Sequence, residues 1–69
     1  MAYDDVLPTR LRIERARTNE TQKQVAERIG ITSPALCNYE QGNRVPTLQT
    51  LKKLAEVYGV SLDYLVGTE

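Results

Sequence analysis

Apolar residues recur along this 69-residue chain at spacings of three and four, the period of an amphipathic helix, and turn signals cut the pattern into five segments. Leu7 and Leu11, with Ile13 as a further candidate, predict a first helix from about Pro8 to Thr18, with Asn19 as a left-handed stop; residues 1–6 fall outside it and are expected to fray. Val25 and Ile29 mark a second helix over about Gln22–Arg28, and Thr21 and Gln24 have the spacing of a capping box at its start. Leu36 and Tyr39 mark a third, about Ser33–Gln41, closed by Gly42; Pro34 sacrifices no hydrogen bond in its first turn, and either Thr32 or Ser33 can cap it. Leu48, Leu51, Leu54, Ala55 and Tyr58 form the best-defined stripe, a fourth helix capped by Thr47 and stopped by Gly59. Val60 then turns inward, and Ser61 caps a short last helix in which Leu62, Leu65 and Val66 face the others before Gly67 ends it. No alternating strand pattern of useful length competes. The expected fold class is all-α: one compact five-helix domain over 1–69, with its core at about 7–67.

The second and third segments carry the most information. In QKQVAERIGITSPALCNYEQ, Val25 and Ile29 on one helix and Leu36 and Tyr39 on the next can bury in a common core. Ala26 stands where the helices would cross most closely, and Gly30 and Ile31 supply a left-handed turn and a return to the core. Each signal is common by itself, but their joint spacing is that of a helix-turn-helix, which sets its second helix in the major groove of DNA. An ordinary helical hairpin without a nucleic-acid role is the bland alternative.

Composition narrows the choice of function. A chain of this length is near the lower limit for a single unstapled core, and with one cysteine and no histidine it can form neither an intrachain disulfide nor a histidine-containing zinc site. No metal and no cofactor are expected. The lack of histidine, phosphate loop or a nucleophile with an evident base argues against an enzyme. No segment approaches a membrane span and the N-terminus lacks signal-peptide character, so a reducing cytoplasm is the expected location. Nine basic and nine acidic residues cancel, which argues against loose coating of nucleic acid by charge; from Arg10 to Lys23, Arg10, Arg12, Arg15, Arg17 and Lys23 nevertheless outweigh Glu14 and Glu20, while Asp4 and Asp5 sit at the N-terminus.

Once the core positions are set aside, the base-reading candidates on the third helix are Ser33, Pro34, Ala35, Cys37 and Asn38. Asn38 leads, because its amide can pair bidentately with adenine, worth roughly 1–3 kcal/mol of discrimination. Ser33 could reach a base edge or phosphate, or only cap the helix; Pro34 and Ala35 could meet a thymine methyl. Cys37 is read as a small side chain on the helix face rather than a redox switch, since no resolving cysteine accompanies it. Phosphate contacts are expected from Gln22 at the start of the second helix and from Lys23, Thr32, Asn43 and Arg44, with Arg10 either a contact or solvated. One such module is too small for tight operator binding, so a homodimer on double-stranded DNA is expected, with half-sites about one helical turn apart. Tyr58, Tyr64 and Val66 offer apolar material for the dimer contact or simply complete the core.

The ordered pieces LRIERAR, TQKQVAERIGI, LCNYEQGNRVPTL, LKKLAEVYGV and SLDYLVG, from about Leu11 to Gly67, resemble the phage repressor and Cro type of helix-turn-helix family, the xenobiotic-response-element type of regulator. The resemblance implies a five-helix DNA-binding domain, usually dimeric on an operator with two related half-sites, in a small bacterial or phage transcriptional regulator whose expected output is repression. It gives Gln22 the phosphate role reached above, and implies a structural ion pair between Arg15 and Glu40. Glu14 and Glu20 depart from it, standing where members often carry apolar residues, which makes the corner between the first two helices the place to check packing. An antitoxin-type module that neutralises a toxin and regulates its own operon is the alternative of a different class.

Overall fold

A computed structural model describes residues 2–68, with side chains from Val6 onward. Five helices follow one another: α1 (Ala2–Thr18), α2 (Gln22–Ile29), α3 (Ser33–Gln41), α4 (Leu48–Tyr58) and α5 (Leu62–Val66). The described residues contain no strand, and none of their helices is long and apolar enough to cross a membrane.

The helix ends follow the local chemistry. Thr21 accepts from the amide of Gln24 at 3.1 Å while the Gln24 side chain accepts from the amide of Thr21 at 2.9 Å, a complete capping box. Thr32, Thr47 and Ser61 cap α3, α4 and α5, so the choice left open between Thr32 and Ser33 falls to Thr32. Asn19 has φ 58° and ends α1 as expected.

The first helix differs from the expected one. It begins at Ala2 rather than near Pro8 and takes in residues 2–6; Met1, also part of the segment expected to fray, lies outside the described residues. Pro8 withholds a single helical hydrogen bond near the N-terminus. Packing offsets that loss: Leu7 and Leu11, four apart, are 3% and 0% exposed, and Val6 lies against Gly67 at the far end of the chain.

The core consists of Leu7, Leu11, Val25, Ala26, Ile29, Leu36, Leu51, Leu54, Ala55, Tyr58 and Leu65. α1 packs on α3, α5 and α4, while α2 packs on α3 and α4. Ile31, Tyr39, Val60, Leu62 and Val66 are partly buried against it, and two further expected core residues, Ile13 and Leu48, are exposed. Ile13 is 45% exposed because the inner row of α1 runs through Leu7, Leu11 and Glu14, and a residue two positions from Leu11 points away. Leu48 is 63% exposed because it opens α4, where the stripe runs past the elements it packs on.

The corner flagged by Glu14 and Glu20 is resolved with polar partners. Glu14, only 4% exposed, accepts a 2.9 Å hydrogen bond from the Tyr64 hydroxyl, and Glu20 pairs with Arg28 at 2.7 Å. A buried carboxylate so partnered avoids the larger cost of an unpaired charge.

Candidate nucleic-acid interface

α3 presents two opposite rows. Leu36 and Glu40, four apart, are buried, so the row through Pro34, Asn38 and Gln41 faces outward; Pro34 and Gln41 are exposed and Asn38 is half-buried. Ser33 and Cys37, both half-buried, form the flank between those rows. Ala35 is also half-buried. Among the described residues the Asn38 side-chain amide has no hydrogen-bond partner, whereas the Asn38 backbone carbonyl accepts from Asn43 N at 2.9 Å and Arg44 N at 3.4 Å. The chain after α3 is therefore folded back on the helix end. Exposed Asn43 and Arg44 are thereby tied to the same body as Asn38, and Asn43 Nδ2 donates to Gln41 Oε1 at 3.1 Å.

The turn before α3 is fixed by backbone bonds: the carbonyl of Ala26, a residue 1% exposed, accepts from the amides of Gly30 and Ile31. Gly30 has φ 78° with nothing within 4 Å of where a Cβ would stand, so its backbone conformation, rather than lack of space, calls for glycine. Thr32 Oγ1 accepts from Ala35 N at 3.1 Å, and its hydroxyl hydrogen remains available to donate.

Behind α3 stands the expected ion pair. Arg15 donates from Nε to Glu40 Oε2 at 2.7 Å and from Nη2 to Oε1 at 3.1 Å, and its Nη1 donates to the Glu20 carbonyl at 3.1 Å. The bond to Glu40 raises the pKa of Arg15 above the ordinary guanidinium value. Arg12 donates to the carbonyl of Glu40 and, at 3.2 Å, to Thr9 Oγ1. Gln22 Nε2 also donates to Glu40 Oε1, at 3.0 Å. Ser33, Cys37 and Glu40 lie at i, i+4 and i+7, so this bond sets Gln22 beside the flank of α3 that carries Ser33 and Cys37.

The remaining candidates fall in different surroundings. Arg10, read as a phosphate contact or a solvated residue, is instead 4.5 Å from the Tyr64 ring centroid and donates to the Tyr64 carbonyl, which engages it in α1–α5 packing. Tyr58 is 8% exposed and belongs to the core; Tyr64 and Val66 are half-buried against it, on α5. Lys23 is exposed next to Gln22. Among the described residues no cluster of histidine, cysteine and acidic side chains could hold a metal. A groove of about 390 Å³, lined by Arg28, Ile29, Lys53, Glu56 and Val57, lies at the opposite end of α2 from Gln22.

Two features of the candidate face, the exposed Gln41 and the bond between Gln22 and Glu40, were missed in the sequence reading. Gln41 could have been found, since it completes the i, i+4, i+7 row begun by Pro34 and Asn38. The bond from Gln22 to Glu40 spans 18 positions and follows no local pattern.

This geometry agrees with what the chain is similar to. A family model described as helix-turn-helix matches residues 11–65. The chain is 43% identical over 63 residues to the HTH-type transcriptional regulator ImmR of Bacillus subtilis, covering 91% of this chain and 50% of the relative. It is 40% identical over 58 residues to the cryptic phage CTXphi transcriptional repressor RstR of Vibrio cholerae, covering 84% of this chain and 52% of that protein. Across 60 residues it is 30% identical to the HTH-type transcriptional activator BcrR of Enterococcus faecalis, covering 84% of this chain and 29% of that one. No solved structure matches the chain significantly. The chain belongs to the helix-turn-helix family of transcriptional regulators, of the phage repressor and Cro type. It spans about half the length of the first two of these relatives.

Proposed function

We propose that this domain binds double-stranded DNA sequence-specifically, with α3 in the major groove, as a dimer on an operator of two half-sites, and represses transcription from it. The supporting observation is the division of α3 into an inner row locked to the body and an outer row, Pro34, Asn38 and Gln41, in which the Asn38 side-chain amide has no hydrogen-bond partner among the described residues. Asn38, Ser33, Pro34 and Cys37 read bases; Gln22, Lys23, Thr32, Asn43 and Arg44 hold phosphates on either side. Repression is favoured because RstR, named a repressor, is 40% identical to the chain, whereas BcrR, named an activator, is 30% identical. The function places the protein with the chromosome in the cytoplasm.

Selection from a random duplex pool tests this reading. The enriched sequences are expected to contain an inverted repeat with half-sites about 10 base pairs apart, centre to centre. On that duplex Asn38→Ala loses preference at one base pair per half-site, while Gln22→Ala weakens all sequences alike. Equal binding by both variants and the parent would show that another face meets the DNA.

A further inference from the structure

Glu40 is 2% exposed, and its two oxygens serve two different partners. Arg15 takes both, at 2.7 Å and 3.1 Å, and Gln22 Nε2 adds a third bond, at 3.0 Å to Oε1. The guanidinium is held from behind by the Glu20 carbonyl at 3.1 Å. The carboxylate therefore cannot swing away from Gln22 without giving up its bonds to Arg15.

A glutamine amide has a donating end and an accepting end of nearly the same shape, and an unrestrained one turns either outward. Phosphate oxygens accept only, so an amide with its carbonyl forward repels them. An ionised carboxylate also accepts only. Beside Glu40 the amino end of Gln22 is the end that can bond, and it carries two hydrogens.

We propose that Glu40 is a positioning residue for DNA binding: it holds one amide hydrogen of Gln22 and thereby presents the other to a phosphate oxygen at the start of α2. The inference rests on the reading of Gln22 as a phosphate contact given above. An ion pair buried between α1 and α3 thus acts on DNA through one side chain of α2, without touching the DNA.

The test is a double-mutant cycle on the duplex enriched from the random pool, with binding followed by fluorescence anisotropy at a temperature where every variant gives a folded NMR spectrum. Glu40→Gln is expected to weaken binding about tenfold in the parent and less than about twofold in a Gln22→Ala background, because the amide it orients is then gone. Equal losses in both backgrounds would overturn the proposal and leave Glu40 a purely structural residue. A measurement on the parent needs no variant to fold. In the free protein one Gln22 side-chain amide proton should resonate downfield and exchange slowly, and adding the duplex should shift and protect its twin while leaving the first in place. Two unprotected protons in the free chain, or loss of the first on adding DNA, would also overturn it. Should the pool enrich no sequence, the DNA-binding reading itself fails and this inference with it; enrichment with an additive cycle removes this inference alone.

Discussion

Arg15 and Tyr58 show how differently two side chains near the same carboxylate contribute. Arg15 gives Glu40 two of its three side-chain hydrogen bonds, and the carboxylate is 2% exposed while the guanidinium is about a quarter exposed. Arg15→Ala leaves the negative charge buried with only the Gln22 amide, and should cost about 3 kcal/mol in urea unfolding, the low end for breaking a buried pair because Arg15 still reaches water. Tyr58 places its hydroxyl in the core with no hydrogen-bond partner among the described residues. Tyr58→Phe removes an unsatisfied group, so stability at neutral pH should stay level or rise by about 1 kcal/mol. Burial, followed by the nearby Glu40 charge, pushes the phenol pKa up from its ordinary 10.0. In the folded state Tyr58 thus stays neutral where the unfolded chain has begun to ionise, and its contribution is complete below pH 10 and lost as the pH climbs above that value. Thermal melts of parent and Tyr58→Phe across the alkaline range should show the variant losing less stability.

Helices this short depend on their ends. Each of α2, α3, α4 and α5 opens on a threonine or serine whose oxygen accepts an amide hydrogen and closes on a glycine in the left-handed conformation. Two of these glycines make a controlled comparison. At Gly30 a methyl group meets nothing within 4 Å, so Gly30→Ala should cost only the backbone penalty of about 1–2 kcal/mol. At Gly67, with φ 88°, the same group would stand 3.0 Å from Val6 Cγ1, a β-branched side chain with little freedom to move. Gly67→Ala should therefore lower the melting temperature more than Gly30→Ala, and the extra loss should vanish in a Val6→Ala background. An equal loss at the two sites would mean that α1 does not hold the chain end through Val6. This contact also accounts for a helix that begins well before its proline.

The whole molecule is electrically balanced, with nine basic and nine acidic residues, and measures 28 × 23 × 21 Å across its Cα atoms. Its largest dimension is shorter than one turn of duplex, about 34 Å, so under the proposed reading one copy would cover one half-site and a second copy the other. Of the residues assigned to phosphates, only Lys23 and Arg44 are charged. Counterion release follows charge rather than contact number, so log Kd should rise with log salt at a slope of about 2 per monomer bound, and Arg44→Ala should remove about 1 of it. A slope of about 5 per monomer would show that cations outside this face take part. A slope this small would leave discrimination to the amide and hydroxyl groups of α3 and its surroundings, as the proposed reading requires.

The sequence alone determined the end of α1, the helices from α2 onward and the register of the helix-turn-helix, though not where α1 begins, because capping residues, glycine stops and the 3.6-residue period act within a few positions of one another. Thr21 with Gln24, Asn19, Gly30 and the row through Leu51, Leu54, Ala55 and Tyr58 were all legible for that reason. Tertiary structure decided what depends on distant partners. Ile13 and Leu48 are apolar yet exposed, since burial needs a facing element that periodicity does not reveal. Glu14 is buried because Tyr64 arrives from 50 positions away, Arg10 is committed to α5, and Gln22 meets Glu40 only once α2 and α3 have packed. The pattern of a helix is written in its neighbours along the chain, whereas the partner of a charge is chosen by the packing of the whole.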